Sequence, residues 1–279
     1  MQDFLKRLAI DNAVLVTVTG QRGSVPRAVG AWMAVFADAC MGTIGGGHLE
    51  WRATARARQC LRGETAAGTQ RYALGPTLGQ CCGGEVCLSY QLVSALDLPR
   101  LQTLFARQQA SWPSVAVFGA GHVGQALVRL VGQLPLRLRW IDSRDGIFPP
   151  ALPDNVTVEH CEPVQAAVAD LAPDCQVLVM SFSHAEDLEV VAACLLRQRL
   201  RADLAMIGLI GSQSKWASFS SRLARRGFTP VELAQVSCPI GVPGIAGKEP
   251  AVIAISVAAQ LLQWSSCVKR PGAENLRTS

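Results

Sequence analysis

Val115-Ala-Val-Phe-Gly-Ala-Gly-His-Val-Gly124 decides the fold of the second half of the chain. Four apolar residues run straight into glycines at 119, 121 and 124, and an amphipathic stretch from Val123 to Gln133 follows. A strand, then G-x-G-x-x-G, then a helix is the sequence of a phosphate-binding βα turn. Gly119 permits the tight turn, Gly121 lets the backbone approach a pyrophosphate, and Gly124 lets helix and strand pack closely. The free N–H groups and dipole of the helix start favour a phosphate. His122, at an x position, either reaches a ligand or faces solvent.

Downstream, strands and helices alternate. Arg137–Ile141, Val156–His160, Val177–Ser181 and Ala205–Leu209 read as strands, and Val164–Leu171 and Asp187–Arg197 as helices. Such alternation implies a parallel sheet with helices on both faces. The fold class is therefore α/β, with a small N-terminal α+β domain followed by a C-terminal Rossmann-type doubly wound parallel sheet. Asp142 ends the second strand 18–23 residues beyond the glycines, where an acid accepts hydrogen bonds from a ribose. Arg144 would suit a 2′-phosphate instead. Ser181-Phe-Ser-His184-Ala-Glu-Asp187 falls at the ligand-facing end of the sheet, with His184 and Asp187 either chemical or capping the next helix. Hydride-transfer pairs of the usual dehydrogenase kinds are missing, so an NAD(P)-dependent oxidoreductase stands only as the alternative reading.

Upstream the pattern is different. Asn12–Thr19, Ala31–Ala37, Gln70–Leu74 and Val86–Leu92 read as strands, Gly20 to Pro26 as turn, and His48 to Arg62 as a helix burying Leu49, Ala53, Ala57 and Cys60. The expected organisation is an N-terminal domain over 1–95, a linker helix over 96–113, a Rossmann-type domain over 114–265 and a polar tail over 266–279.

Two domains suit the 279 residues. Charged residues are only 17% and about half the chain is apolar, which excludes intrinsic disorder. No apolar run approaches the roughly 20 residues of a membrane span, and Met1 to Lys6 has no apolar signal core, so a cytoplasmic protein is expected. The net charge of +5 is spread along helices, which argues against nucleic acid as partner. Of ten cysteines, Cys60, Cys175 and Cys194 sit in apolar surroundings and read as reduced core thiols.

The chemistry concentrates in the N-terminal half. Gly45, Gly46 and Gly47 open a helix, where exposed N–H groups make an anion site. Three consecutive glycines exceed what a turn needs. Glu50, in the first turn, either caps the loop or binds an amine-bearing ring. Cys81-Cys82-Gly-Gly84 places vicinal thiols beside glycines that leave them accessible. Neighbouring cysteines strain a mutual disulfide, and no spacing completes a zinc tetrahedron, even with Cys87. A thiolate meeting a soft metal already carried by a cofactor fits better. A thiol redox sensor built on Cys81 and Cys82 is a weaker reading. Lys248, ahead of the final helix, either contacts a phosphate or is solvated.

These motifs carry a resemblance. Gly23-Ser-Val-Pro-Arg27, Gly42-Thr-Ile-Gly-Gly-Gly-His-Leu-Glu50 and Leu78-Gly-Gln-Cys-Cys-Gly-Gly84 resemble the N-terminal domain of the xanthine dehydrogenase accessory protein family, XdhC/CoxI type. Phe118 to Gly124, Ile207-Gly-Leu-Ile-Gly-Ser212 with Lys215-Trp216, and Cys238 to Pro250 continue it, over roughly residues 10 to 262. The resemblance implies an accessory chaperone rather than an enzyme. It would bind molybdenum cofactor (molybdopterin), support its sulfuration with a cysteine desulfurase, and deliver it to xanthine dehydrogenase in purine catabolism. The family's cysteine falls on Cys82, expected as a transient molybdenum ligand with Cys81 beside it. Arg27, Gly45, Gly46, Gly47, Glu50, Gly119, Gly121, Gly124, Asp142 and Lys248 complete the expected cofactor-binding set, and a homodimer is expected.

Overall fold

The computed structural model describes residues 1–74 and 84–267. The chain divides into two compact units, Met1–Ala106 and Arg107–Ser279.

The first unit contains α1 (Gln2–Leu8), β1 (Ala13–Arg22), β2 (Trp32–Val35), β3 (Cys40–Gly42), α2 (Gly47–Leu61), β4 (Gly68–Ala73) and β5 (Glu85–Val93). The helix α3 (Leu98–Ala110) follows. The five strands form an antiparallel sheet in the order β3-β2-β1-β5-β4. Side chains along β1 alternate between two cores, as the period of two requires. Val14, Val16 and Val18 pack with Leu49, Ala53 and Ala57 of α2. Ala13 and Leu15 pack with Phe4 and Leu8 of α1 and with Leu101 and Phe105 of α3. Gly20-Gln-Arg22, expected as turn, instead continues β1 opposite Cys87, Val86 and Glu85 of β5. A register shift between Val18 and Gly20 absorbs the glycine without ending the pairing.

The second unit contains β6 (Ser114–Phe118), α4 (His122–Val131), β7 (Arg137–Asp142), β8 (Val156–His160), β9 (Cys175–Val179), α5 (His184–Arg201), β10 (Leu204–Leu209), α6 (Gln213–Arg225), α7 (Pro230–Leu233), β11 (Val236–Ser237) and α8 (Pro250–Cys267). All six strands are parallel, in the order β11-β10-β9-β6-β7-β8. This is the Rossmann-type order, and the sheet's direction of winding reverses between β6 and β9. Val115 and Val117 face a core with α4 and α8, while Ala116 and Phe118 face a core with α5. Cys175 and Cys194 lie in that second core, and burial pushes both thiols up, which makes them inert.

Two local readings differ. Val164–Asp170 is a 3₁₀ helix rather than an α-helix, with Ala166 N donating to Pro163 O and no side chain capping its start. β9 begins two residues earlier than expected, because the Gln176 amide finds the Ser265 hydroxyl at 2.9 Å and can be buried within a strand. The polar tail beyond Cys267 lies outside the described residues.

Candidate functional site

Glu50 organises the glycine loop that opens α2. One carboxylate oxygen, Oε2, accepts from Thr43 Oγ1 at 2.6 Å, Ile44 N at 3.1 Å and Gly46 N at 3.0 Å. Thr43 Oγ1 in turn accepts from Gly45 N at 3.1 Å. Of the two roles open to Glu50, the geometry is that of a cap. Gly45, Gly46 and Gly47 all have positive φ, at 126°, 76° and 63°. A Cβ on Gly45 would stand 2.6 Å from Pro26 Cβ, whereas one on Gly46 would meet nothing within 4 Å. Gly45 therefore lets the Gly23–Arg27 loop close on the glycine loop, and Gly46 leaves the helix start open to a ligand. Arg27 is exposed, and its Cγ lies 3.4 Å from the position of a Gly45 Cβ.

The third motif of this half arrives at the same place. Gly84 O accepts from Leu74 N at 2.7 Å, a bond between the described residues on either side of the Cys81-Cys82 motif. A Cβ on Gly84 would come within 2.3 Å of Ser24 O and 2.6 Å of Arg22 O. Gly84 thus sits on the strand end that leads to Pro26 and Arg27. Cys81 and Cys82 themselves lie outside the described residues. Of the described residues flanking them, Gly84 lies against Ser24 and Arg22.

Burial pushes the Glu50 carboxyl up, but the Thr43 hydroxyl and the loop N–H groups outweigh it and hold it below the usual carboxylate range. A lowered folded pKa means stabilisation that is present above the unfolded value of about 4.3 and lost as pH falls below it. Glu50→Gln is therefore expected to lower stability near pH 7 by about 1 kcal/mol at this half-buried position. In urea titrations at several pH values, the gap from wild type should close below about pH 4. A gap independent of pH would mean that the charge of Glu50 does not hold the loop.

In the second unit the glycines take the positions read from the sequence. Gly119 has φ +118°, and a Cβ there would stand 2.0 Å from Met180 O. A Cβ on Gly124 would stand 2.2 Å from Gly119 O, which also accepts from Trp140 Nε1 at 3.0 Å. A Cβ on Gly121 would meet nothing, so the backbone at the start of α4 stays open. His122 is exposed.

Asp142 is the surprise. It is buried, and its carboxylate accepts from Ala120 N at 2.6 Å, Arg144 N at 2.9 Å, Arg144 Nε at 2.9 Å and Arg144 Nη2 at 2.8 Å. Burial pushes its carboxyl up, and the Arg144 contacts with the Ala120 N–H prevail and keep it low. The acid and the arginine that sequence reasoning offered as alternative ribose and phosphate contacts are bonded to each other. Arg144 also lies over the Phe182 ring at 4.8 Å.

Asp187 is neither free nor a cap. Ser183 caps α5, accepting from Glu186 N at 3.2 Å. Asp187 is buried, accepts from Ser181 N at 2.8 Å and Ser181 Oγ at 2.6 Å, and pairs with Lys215 Nζ at 2.6 Å. Lys215 Nζ also donates to Ile210 O at 2.9 Å. Sequence reasoning quoted Lys215 in a motif without giving it a role. His184 is exposed against Phe219, with ring centres 6.2 Å apart. Lys248 is exposed ahead of α8, and Cys87 lies in β5 opposite Gly20.

Comparison with known proteins accounts for both halves. A model of the XdhC Rossmann domain matches residues 115–261, and one of the XdhC and CoxI family matches residues 9–73. The chain belongs to the XdhC family. An Escherichia coli K12 relative, the uncharacterized protein YqeB, is 28% identical over 256 residues, which are 89% of this chain and 43% of that one. The chain thus spans less than half the length of that relative. A crystal structure described as a xanthine dehydrogenase from Bacillus halodurans matches with a TM-score of 0.75 at 20% identity, covering 98% of this chain and 97% of the other. At that identity the XdhC-family chain and this structure share a fold. Among the described residues no helix is long and apolar enough to cross a membrane.

Proposed function

We propose that this XdhC-family protein is an accessory chaperone that holds molybdenum cofactor as cargo, supports its sulfuration together with a cysteine desulfurase, and passes it to xanthine dehydrogenase. The observation that carries the reading is the meeting of three loops in the first unit: Pro26 against Gly45, Gly84 against Ser24 and Arg22, and the Glu50 carboxylate gripping the glycine loop. Leu74 and Gly84, the described residues on either side of the Cys81-Cys82 motif, are hydrogen-bonded to each other. The cargo has two chemically distinct ends, and the residues suit both. Its phosphate is matched by the start of α2 beyond Gly46, whose own N–H is taken by Glu50, with Arg27 alongside. Its sulfur-bound metal is matched by a soft thiolate at Cys82, which binds and releases where a closed metal cage would retain. Our reading has the protein act in the cytoplasm, as a homodimer, and not as an enzyme in its own right.

The nicotinamide alternative meets an obstacle at Asp142. Both carboxylate oxygens are already committed to Ala120 and Arg144, so a ribose would have to break an intramolecular pair to be read. Gly121 remains open to a phosphate, so the second unit keeps an anion-facing turn without the ribose contact.

The test is transfer. Full-length protein loaded with the cofactor should restore activity to molybdenum-free xanthine dehydrogenase, and Cys82→Ala should retain at least about tenfold less cofactor through gel filtration, the loss of one charge-assisted ligand contact. Normal retention and transfer by the alanine variant would remove the thiolate from the mechanism. Failure of the wild type to bind or transfer cofactor would overturn the reading itself.

A further inference from the structure

A groove of about 410 Å³ runs along the outer side of α2 and across β4, and its lining is strongly cationic. Trp51, Arg52, Arg56 and Gln59 come from α2, and Gln70 and Arg71 from β4. Among the described residues no carboxylate lines it. Arg71 has a loose exposed pairing with Glu85 at 3.8 Å, while Arg52 and Arg56 have no ion pair among the described residues.

What holds the two unpaired guanidinium groups is aromatic. Arg52 lies over the Tyr72 ring at 5.6 Å and Arg56 over the Tyr90 ring at 5.2 Å. The two phenols are hydrogen-bonded to each other at 2.6 Å and buried, which fixes the platform. Burial and the Tyr72 hydroxyl push the Tyr90 phenol up, so it keeps its proton and supplies no counter-charge. Cation–π seating orients a guanidinium without using its planar N–H fork. Arg56 Nε is buried without a hydrogen-bond partner among the described residues. One helical turn separates Arg52 from Arg56, which places two forks on one face. Arg56 Nη2 makes one long bond, to Ala66 O at 3.5 Å, so two like charges are held together with most of their donors unspent, an arrangement that suits an anion. Trp51, two-thirds exposed and stacked on His48 by one face at 5.4 Å, adds a flat surface at the rim.

We propose that this groove binds a small phosphate monoester bearing a flat heterocycle, the phosphate on the Arg52 and Arg56 guanidinium groups and the ring against Trp51. Guanidinium forks match phosphate oxygens in a bidentate way, and a third arginine, Arg71, suits a dianion. The volume lies in the range of small-molecule sites rather than of protein interfaces. Gln59 and Gln70 supply amide donors and acceptors for ring edges. A pterin phosphate belongs to the same chemical class as this ligand, but the groove is tested on protein free of cofactor and with metal-free probes, so the inference and the cargo reading can fail separately.

The experiment is calorimetric titration of the full-length chain, free of cofactor, with guanosine monophosphate, guanosine and inorganic phosphate. The monophosphate should bind about tenfold or more tightly than either fragment, since it alone engages both features. Arg52→Gln should weaken it at least about tenfold. Trp51→Ala should weaken it about fivefold while leaving inorganic phosphate unchanged. Both residues are exposed on α2, so an unchanged thermal midpoint verifies that each variant is folded. Arg52→Lys should recover only part of the affinity, because the charge returns without the fork. The proposal is overturned if the monophosphate does not bind, if it binds folded Arg52→Gln as well as wild type, or if a polyglutamate peptide binds in its place and outcompetes it.

Discussion

Lys215→Met is expected to destabilise the second unit by about 3–5 kcal/mol, the cost of leaving one member of a buried ion pair without its partner. The side chains of Lys215 and Asp187 are 12% and 3% exposed, and they meet at 2.6 Å. Methionine fills the same volume, so the loss isolates the charge rather than the packing. Asp187 would keep only its two bonds from Ser181. A second substitution separates a stranded charge from general damage. Asp187→Asn, made in the Lys215→Met background, removes the charge and keeps an oxygen for Ser181 N, so about half the loss should return. Urea unfolding reads both, with a lower midpoint at unchanged slope as the signature. A single variant within about 1 kcal/mol of wild type would show that the pair is hydrated and marginal.

Gly84→Ala carries the other large effect, and here the cause is steric. The added Cβ would stand 2.3 Å from Ser24 O and 2.6 Å from Arg22 O. Both are backbone atoms, so no rotamer change relieves the clash, and the end of β1 has to move. A stability loss of about 3 kcal/mol follows from overpacking of this kind. Under the cargo reading it comes with detachment of the Gly23–Arg27 loop from Gly45 and at least a tenfold loss of cofactor retention, equivalent to about 1.4 kcal/mol. Gly46→Ala provides the contrast. Nothing stands near its Cβ, and only its φ of 76° opposes a side chain, at roughly 1–2 kcal/mol. Equal thermal shifts in the two variants would contradict the close approach at Gly84.

Much of this was legible because it rests on local rules. The β6 turn could be read glycine by glycine, since Gly119 and Gly124 meet neighbours fixed by the βα geometry itself and Gly121 faces open space. The core face of α2 followed from a spacing of three and four residues. The motif loops around Pro26, Gly45 and Gly84 were recognisable singly. Their meeting depends on β1 and β5 pairing across more than sixty intervening residues, as in Arg22 opposite Glu85, which no local pattern contains. The same limit hid the partners of charged groups. Asp142 and Arg144 were both noticed, yet their bidentate pairing depends on how the chain turns after β7. Asp187 and Lys215 are 28 residues apart and meet only once β9 and β10 lie side by side. The arginine groove is equally hidden from local patterns, because the Tyr72–Tyr90 platform beneath Arg52 and Arg56 comes from two other strands.

The sheet margins have a consequence for self-association. The first sheet ends in β3, three residues long, and in β4, which presents Thr69, Gln70 and Arg71. The second ends in β11, two residues long, and in β8, where Glu159 is held by Arg139. Short or charged margins are poor templates for an incoming strand. Extension of either sheet is therefore a poor route for recruiting a second copy of this chain. A pairing written in side chains is instead a property that point substitutions can abolish without unfolding the protomer.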